Sequence, residues 1–348
     1  MGPYPTGFDT VGYYIPITLA WLRGDLDIWQ RIAPGPLFYI ITTTLTSLGT
    51  PILLVLKVIP PVLHAFLSLT IYLYVNKALR WSSGKSLGAA LLSTLYFVSM
   101  RISWDLLRNQ LALIFLFLTL TALQERGDKW GYMIASVTAS LTVLSNPLVF
   151  IVMSIILLST TAQILLKGEK GKAYAVILAY IPSALLFLLI FYAHLRISAK
   201  FTEILQFPKQ ETEGWLKLFG FNTYKDLLVT ATAFTTYCYL PLIPLACKGM
   251  KTLKNTQLHA WSLFCVLASL TPVVFARGWY RWTLMLTYPL SFYAVEGVTN
   301  ITSKTRRLYT SIALATTVAV LTSTFIATPC DRPFPYYAIR QFQIYIPS

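Results

Sequence analysis

Four short stretches of this chain hold residue types that can do chemistry. In TGFDTVGYY, Asp9 stands between Gly7 and Gly12 and is followed by Tyr13 and Tyr14. Glycines free the backbone of such a loop, and a carboxylate held there can take a proton as a general base. In RGDLDIWQR, Asp25 and Asp27 offer hard oxygen ligands that suit a divalent cation. A lone D-x-D is the least specific of these signals. RISWDLLRNQ carries Arg101, Asp105, Arg108 and Asn109. Asp105 and Arg108 are three apart, which puts them on one face of a helical turn. There they either close a local ion pair or present an acid and a base together. In RGWYRW, Arg277 and Arg281 are four apart among Trp279, Tyr280 and Trp282. The planar guanidinium can bond two phosphate oxygens at once. The competing reading is an aromatic belt with snorkelling arginines.

The elements that must position these residues are membrane-spanning helices. Hydrophobic residues make up 56% of the 348 and charged residues only 12%, about half the charged share of a soluble domain. Mean hydropathy is +0.62. Apolar runs of about twenty residues recur, the length that crosses the hydrocarbon core as a helix. The alternating pattern of a membrane β-barrel is absent. The expected class is all-α: a polytopic integral membrane protein. Ten spans are expected, over 52–76, 86–100, 108–124, 130–145, 148–166, 173–194, 227–247, 258–276, 283–300 and 308–327.

Charge orients them. Every second loop is short and basic: NKALRWSSGK, QERGDK, KGEKGK, KGMKTLK and KTRR hold fourteen Lys/Arg against three acids. These five are expected to face the cytoplasm. The +15 net charge therefore reads as topology, and no nucleic acid partner is expected. The longer, mixed segments 1–51, 195–226 and 328–348 fall outside, with both termini, in a multi-pass protein of the cell membrane. Residues 1–51 are expected to form an external cap of interfacial helices, since 34–48 is apolar but too short to cross. Residues 52–327 form the membrane domain, 195–226 a long external loop, and 328–348 an external tail. No signal peptide opens the chain. An opening loop on the outer face implies a leading span upstream of Met1, or a tail that crosses unaided.

All four chemical stretches lie on the external side of this scheme. Charge at membrane depth is costly and tends to mark function. Lys57, early in its span, can snorkel outward or meet an anionic headgroup. His64 reads as a buried neutral histidine, and Glu296 as an interfacial acid at the cytoplasmic end. Cys238, Cys247, Cys265 and Cys330 match no zinc spacing and read as small buried hydrophobes. Asn300-Ile301-Thr302 has a glycosylation pattern on the wrong side of the membrane for use.

Several of these features together resemble the GT-C fold of integral membrane glycosyltransferases, in its protein O-mannosyltransferase and aminoarabinose transferase branch. They are the early Asp9, the stretch PGPLFYIITTTLTSLG, Lys57 near the outer end of a span, and Asp105 in SWDLLRNQLALIFLFL. PGPLFYI is similar to the aromatic stretch that follows the catalytic aspartate there, Lys57 stands where that branch often has Arg, and Asp105 resembles a second acid on the same face. The likeness covers roughly residues 1–125. It departs from the family in lacking a span before Asp9 and an obvious partner beside it.

The resemblance implies transfer of a sugar from a polyprenyl-phosphate donor to a glycan, lipid or protein acceptor, with inversion. Asp9 and Asp105 would be catalytic. Tyr13, Tyr14, Lys57, Arg101, Arg108, Arg277, Tyr280 and Arg281 would bind substrate. Apart from the resemblance, the Asp25 and Asp27 carboxylates are weak candidates to hold a divalent cation as cofactor. The alternative is a transporter or flippase of a lipid-linked or anionic substrate, using the same arginines without a base.

Overall fold

The computed structural model describes residues 9–125, 128–205, 224–270 and 279–300. Every regular element among them is helical. After a π-helical turn at Thr10–Tyr14 come three short helices, α1 (Ile15–Arg23), α2 (Ile28–Ile32) and α3 (Leu37–Ser47). Then follow α4 (Ile52–Leu73), α5 (Ser83–Leu95), α6 (Phe97–Asp105), α7 (Leu107–Glu125) and α8 (Lys129–Ser145). Next are α9 (Pro147–Leu166), α10 (Lys170–Leu205), α11 (Tyr224–Tyr239) and α12 (Ile243–Thr252). The last described are α13 (Thr256–Leu270), α14 (Trp279–Met285) and α15 (Thr287–Thr299).

Four helices among the described residues are long and apolar enough to cross a membrane: Ile52–Ala78, Leu107–Gln124, Pro147–Leu166 and Lys170–Ile197. Several other expected spans are interrupted. Tyr96 takes an extended conformation (ψ 137°) and splits the 86–100 run between α5 and α6. The 227–247 run divides into α11 and α12, and the 283–300 run belongs to α14 and α15. The loop expected from residue 195 is instead helical to Leu205, because α10 continues for 36 residues. The span expected at 308–327 and the tail at 328–348 lie outside the described residues, as does most of the loop at 195–226.

Side-chain chemistry explains the joints. Asn146 precedes Pro147, and a residue before proline is driven out of the helical region. Asn146 is accordingly extended (ψ 115°), ends α8, and caps α9 by accepting from the Leu148 N–H at 2.9 Å. Pro60 and Pro61 sit inside α4, where a membrane helix tolerates the lost hydrogen bonds.

The main core is aromatic. Phe117, Trp261, Tyr288 and Phe292 are buried and mutually packed, with Phe117–Tyr288 centroids 5.6 Å apart. Its tightest joint is α12 against α15. A Cβ on Gly249 would lie 1.8 Å from the Tyr293 carbonyl oxygen, so only glycine fits there. A second core holds the short helices to α4 and α7: Tyr14, Phe38 and Tyr39 pack on Leu56, Leu107 and Leu111.

The two ends of the bundle differ. At one end, Gln257 accepts from Gln124 at 2.7 Å and donates to Thr160 at 2.9 Å. Lys85 forms an ion pair with Glu296, and Asn300 donates to Glu296 at 2.7 Å. These contacts gather the helix ends that flank the basic loops. Glu296, expected at the interface, is mostly covered by Lys85, whose ammonium lies 4.0 Å from the Trp81 ring. The opposite end carries the short helices.

Candidate functional site

The cap end assembles from PGPLFYI upward. Gly35 has φ +83°, and a Cβ there would sit 2.9 Å from the Ser145 carbonyl oxygen, so the glycine lets this turn lie directly on the end of α8. That seat aims the Pro34 carbonyl at the Arg108 guanidinium, which donates to it through an Nη nitrogen. α3 then begins, placing Phe38 and Tyr39 against Tyr14, with Phe38–Tyr14 centroids 4.9 Å apart. Arg108 lies over the rings of Tyr13 (5.2 Å) and Tyr39 (5.9 Å).

α7 opens with three polar residues, and each serves a different neighbour. Arg108 points into the aromatic group. Asn109 accepts from the Asn146 amide at 2.7 Å. Gln110 meets His64 Nδ1 at 2.9 Å, and His64 Nε2 meets the Thr94 carbonyl at 3.1 Å. A carbonyl only accepts, so Nε2 carries the proton. With the Gln110 amide donating, Nδ1 accepts and the ring is neutral, as the sequence leads one to expect.

Asp9 and Arg281 meet at this end. Arg281 Nη2 lies 3.9 Å from Asp9 Oδ2, with both side chains about one-fifth exposed. This supplies the partner for Asp9 that the sequence does not reveal. Tyr14 lies within electrostatic reach of all three charged groups. Burial pushes its phenol up to about 12; Arg108 opposes the shift, Asp9 adds to it, and Arg281 opposes it more weakly. Burial also raises the Tyr39 phenol, again against Arg108. Both hydroxyls therefore stay protonated at neutral pH.

Arg108 has no carboxylate partner among the described residues. Its Nε is buried without a hydrogen-bond partner, and the Tyr13 side chain lies within reach of both the guanidinium and Tyr39. A guanidinium held by aromatic faces and one carbonyl, with unmet hydrogen-bonding capacity, is suited to an anion.

The structure corrects several sequence readings. Asp105 and Arg108 do not share one helical turn: Asp105 is the last residue of α6, Leu106 breaks the helix (φ −104°, ψ 55°), and Arg108 is the second residue of α7. RGWYRW is not wholly a loop, since α14 starts at Trp279, and Trp282 is buried in the core rather than set in an aromatic belt. Asp27 caps α2 in a reciprocal capping box with Gln30, accepting at 2.9 Å. One oxygen of Asp27 is thus committed to the α2 cap. Among the described residues no three His, Cys, Asp or Glu side chains converge. Cys238 and Cys265 are buried as expected, whereas Cys247 is exposed.

Lys57 is part-buried on α4, one residue beyond Leu56 of the second core. Arg101 lies on α6 and Tyr280 on α14, but their side chains, with that of Asp105, lie outside the described residues, as does all of Arg277. Sequence reasoning misses Pro34, Tyr39 and Asn146. The first two sit within PGPLFYI, and the third is marked only by its Asn-Pro dipeptide.

No family model, no curated protein and no solved structure matches this chain.

Proposed function

We propose that this chain is a GT-C-type membrane glycosyltransferase that moves a sugar from a polyprenyl-phosphate donor to an acceptor on the extracytoplasmic side. One observation carries the reading. Asp9, a candidate base, lies 3.9 Å from Arg281, a candidate phosphate ligand, and Tyr14 feels both of them and Arg108. With the basic loops inside, the cap end faces outward and both termini lie outside the cytoplasm.

The proposed step balances as follows. The donor phosphate, anchored by its lipid tail, arrives at headgroup depth and competes with Asp9 for Arg281. The released Asp9 carboxylate takes the proton of the acceptor hydroxyl or amide as that group attacks the anomeric carbon. The bond from that carbon to the phosphate oxygen breaks, and its electron pair leaves with the polyprenyl phosphate. Arg281 and Arg108 meet the charge that develops on the phosphate. Direct displacement inverts the anomeric centre. Lys57, Arg101, Arg277 and Tyr280 are assigned to the same donor and Asp105 to a second acidic role, on the resemblance alone.

The test is binding of a polyprenyl-phosphate sugar to the purified protein, followed by transfer to candidate acceptors read by mass. Arg281→Ala weakens binding roughly ten-fold or more. Asp9→Asn binds but does not transfer. A wild-type protein that binds no such lipid sinks the reading.

A second reading, transport, is favoured by a separate feature. Thr283, Thr287 and Ser291 are buried at four-residue spacing inward from Arg281. Tyr239 meets Thr287 at 2.7 Å, and Thr283 donates to Ser269 at 2.9 Å. Such a hydroxyl series can line a polar path. Under this reading sealed vesicles accumulate the substrate with its mass unchanged.

A further inference from the structure

α10 turns most of its surface away from the bundle. Only 22% of its most apolar stretch is buried, and Leu178, Leu185, Leu188, Phe191 and Leu195 are exposed. Such a face is solvated by lipid. Its cap end carries a distinct group. Arg196 Nε donates to the Tyr192 hydroxyl at 2.8 Å, one helical turn back. The guanidinium carbon lies 5.3 Å from the Tyr192 ring centre and 5.8 Å from that of Trp29 on α2. Trp29 meets Tyr192 edge-on at 5.4 Å. Arg196 is exposed and has no carboxylate partner among the described residues.

Two rings and one hydrogen bond thus orient a guanidinium at the lipid-facing end of an apolar helix, and its two terminal nitrogens are left for another partner. Planar nitrogens of this kind suit phosphate oxygens. One guanidinium matches the single net negative charge of an anionic glycerophospholipid, a charge that the ammonium of phosphatidylcholine cancels, whereas a phosphate monoester carries nearly two charges and calls for a second cation. Trp and Tyr at the headgroup layer fit the same depth.

We propose that Trp29, Tyr192 and Arg196 bind the phosphodiester headgroup of an anionic glycerophospholipid whose acyl chains lie along α10. The site is separate from the Asp9–Arg281 pair, and its test involves no sugar transfer. The protein is reconstituted in phosphatidylcholine vesicles containing phosphatidylglycerol, and retained lipid is counted by native mass spectrometry. Wild type keeps phosphatidylglycerol in preference to phosphatidylcholine. Arg196→Gln lowers that preference roughly ten-fold. Arg196→Lys, which keeps the charge but loses the planar stack, retains part of it. Equal retention of the two lipids by wild type, or an unchanged preference in Arg196→Gln, overturns the proposal. So does stronger retention of a polyprenyl phosphate at this site, which would assign it to a phosphate monoester.

Discussion

Asn146 holds Asn109 with one side-chain atom and the start of α9 with another. Its amide donates to Asn109 at 2.7 Å while its carbonyl oxygen accepts from the Leu148 N–H at 2.9 Å. The residue next to Asn109 is Arg108, so this brace sets the first turn of α7 and with it the direction of the guanidinium. Asn146→Asp keeps the acceptor for the cap but removes the donor to Asn109. It is expected to destabilise the protein by about 1–3 kcal/mol through a buried unsatisfied group. Asn146→Ala loses the cap as well, adding about 1 kcal/mol. Thermal unfolding in detergent ranks the two, and equal midpoints for wild type and Asn146→Asp would refute the brace.

Arg108→Gln removes the acid-free guanidinium from the aromatic group. On the transfer reading kcat/KM falls about 10²–10³-fold, the loss typical of a group that stabilises developing charge. Arg108→Lys recovers only part of this, because an ammonium cannot stack flat on Tyr13 and Tyr39 while donating to Pro34. Single-turnover kinetics on protein with an unchanged unfolding midpoint makes the comparison. Full activity in Arg108→Lys would leave charge alone as the requirement.

Tyr14 predicts a pH dependence. Its folded value of about 12 exceeds the ordinary value of about 10. The fold therefore favours the neutral phenol. That stabilisation is fully present below pH ~10 and is lost as pH rises from there through about 12, while the unfolded chain ionises first. Tyr14→Phe cannot ionise, so its unfolding midpoint declines less than that of wild type above pH ~10. Parallel declines would show that other groups govern the alkaline limb.

How much of this was readable in advance depends on range. Helical content and the long apolar helices able to cross a membrane follow from local composition, which acts residue by residue. The hydrogen bonds joining Gln124, Thr160 and Gln257 bring together segments next to three of the basic loops. Helix breaks were harder. Tyr96 interrupts an apolar run without proline or glycine at the break, so packing rather than propensity sets it, whereas the break at Leu106 falls between two expected spans. The Asp9–Arg281 pair was invisible for a different reason: nothing in either stretch encodes its partner across the chain. In the sequence PGPLFYI carries only a resemblance. Only the structure gives its parts separate duties, with a carbonyl for Arg108, a glycine seated on α8 and a tyrosine under the guanidinium.

The Lys85–Glu296 pair marks the opposite end of the bundle from the candidate site. The two side chains are 18% and 13% exposed. Glu296→Gln leaves the ammonium without its counter-charge and is expected to cost about 1–3 kcal/mol, between the surface and buried limits. Substrate affinity stays unchanged, because the cap end does not depend on this pair. A calorimetric or fluorescence midpoint together with a binding isotherm separates the two effects; weakened binding at full stability would tie Glu296 to the substrate route instead.

α10 has a consequence for how reactants arrive. Its 36 residues extend about 54 Å, against a hydrocarbon core of about 30 Å. Standing upright, such a helix carries about four turns beyond the oily layer, shared between its two ends. Its C-terminal part packs beside the short helix α2. On the proposed transfer reading, a lipid-anchored donor would come to the cap end along the membrane plane, and a water-borne acceptor would come down along this helix.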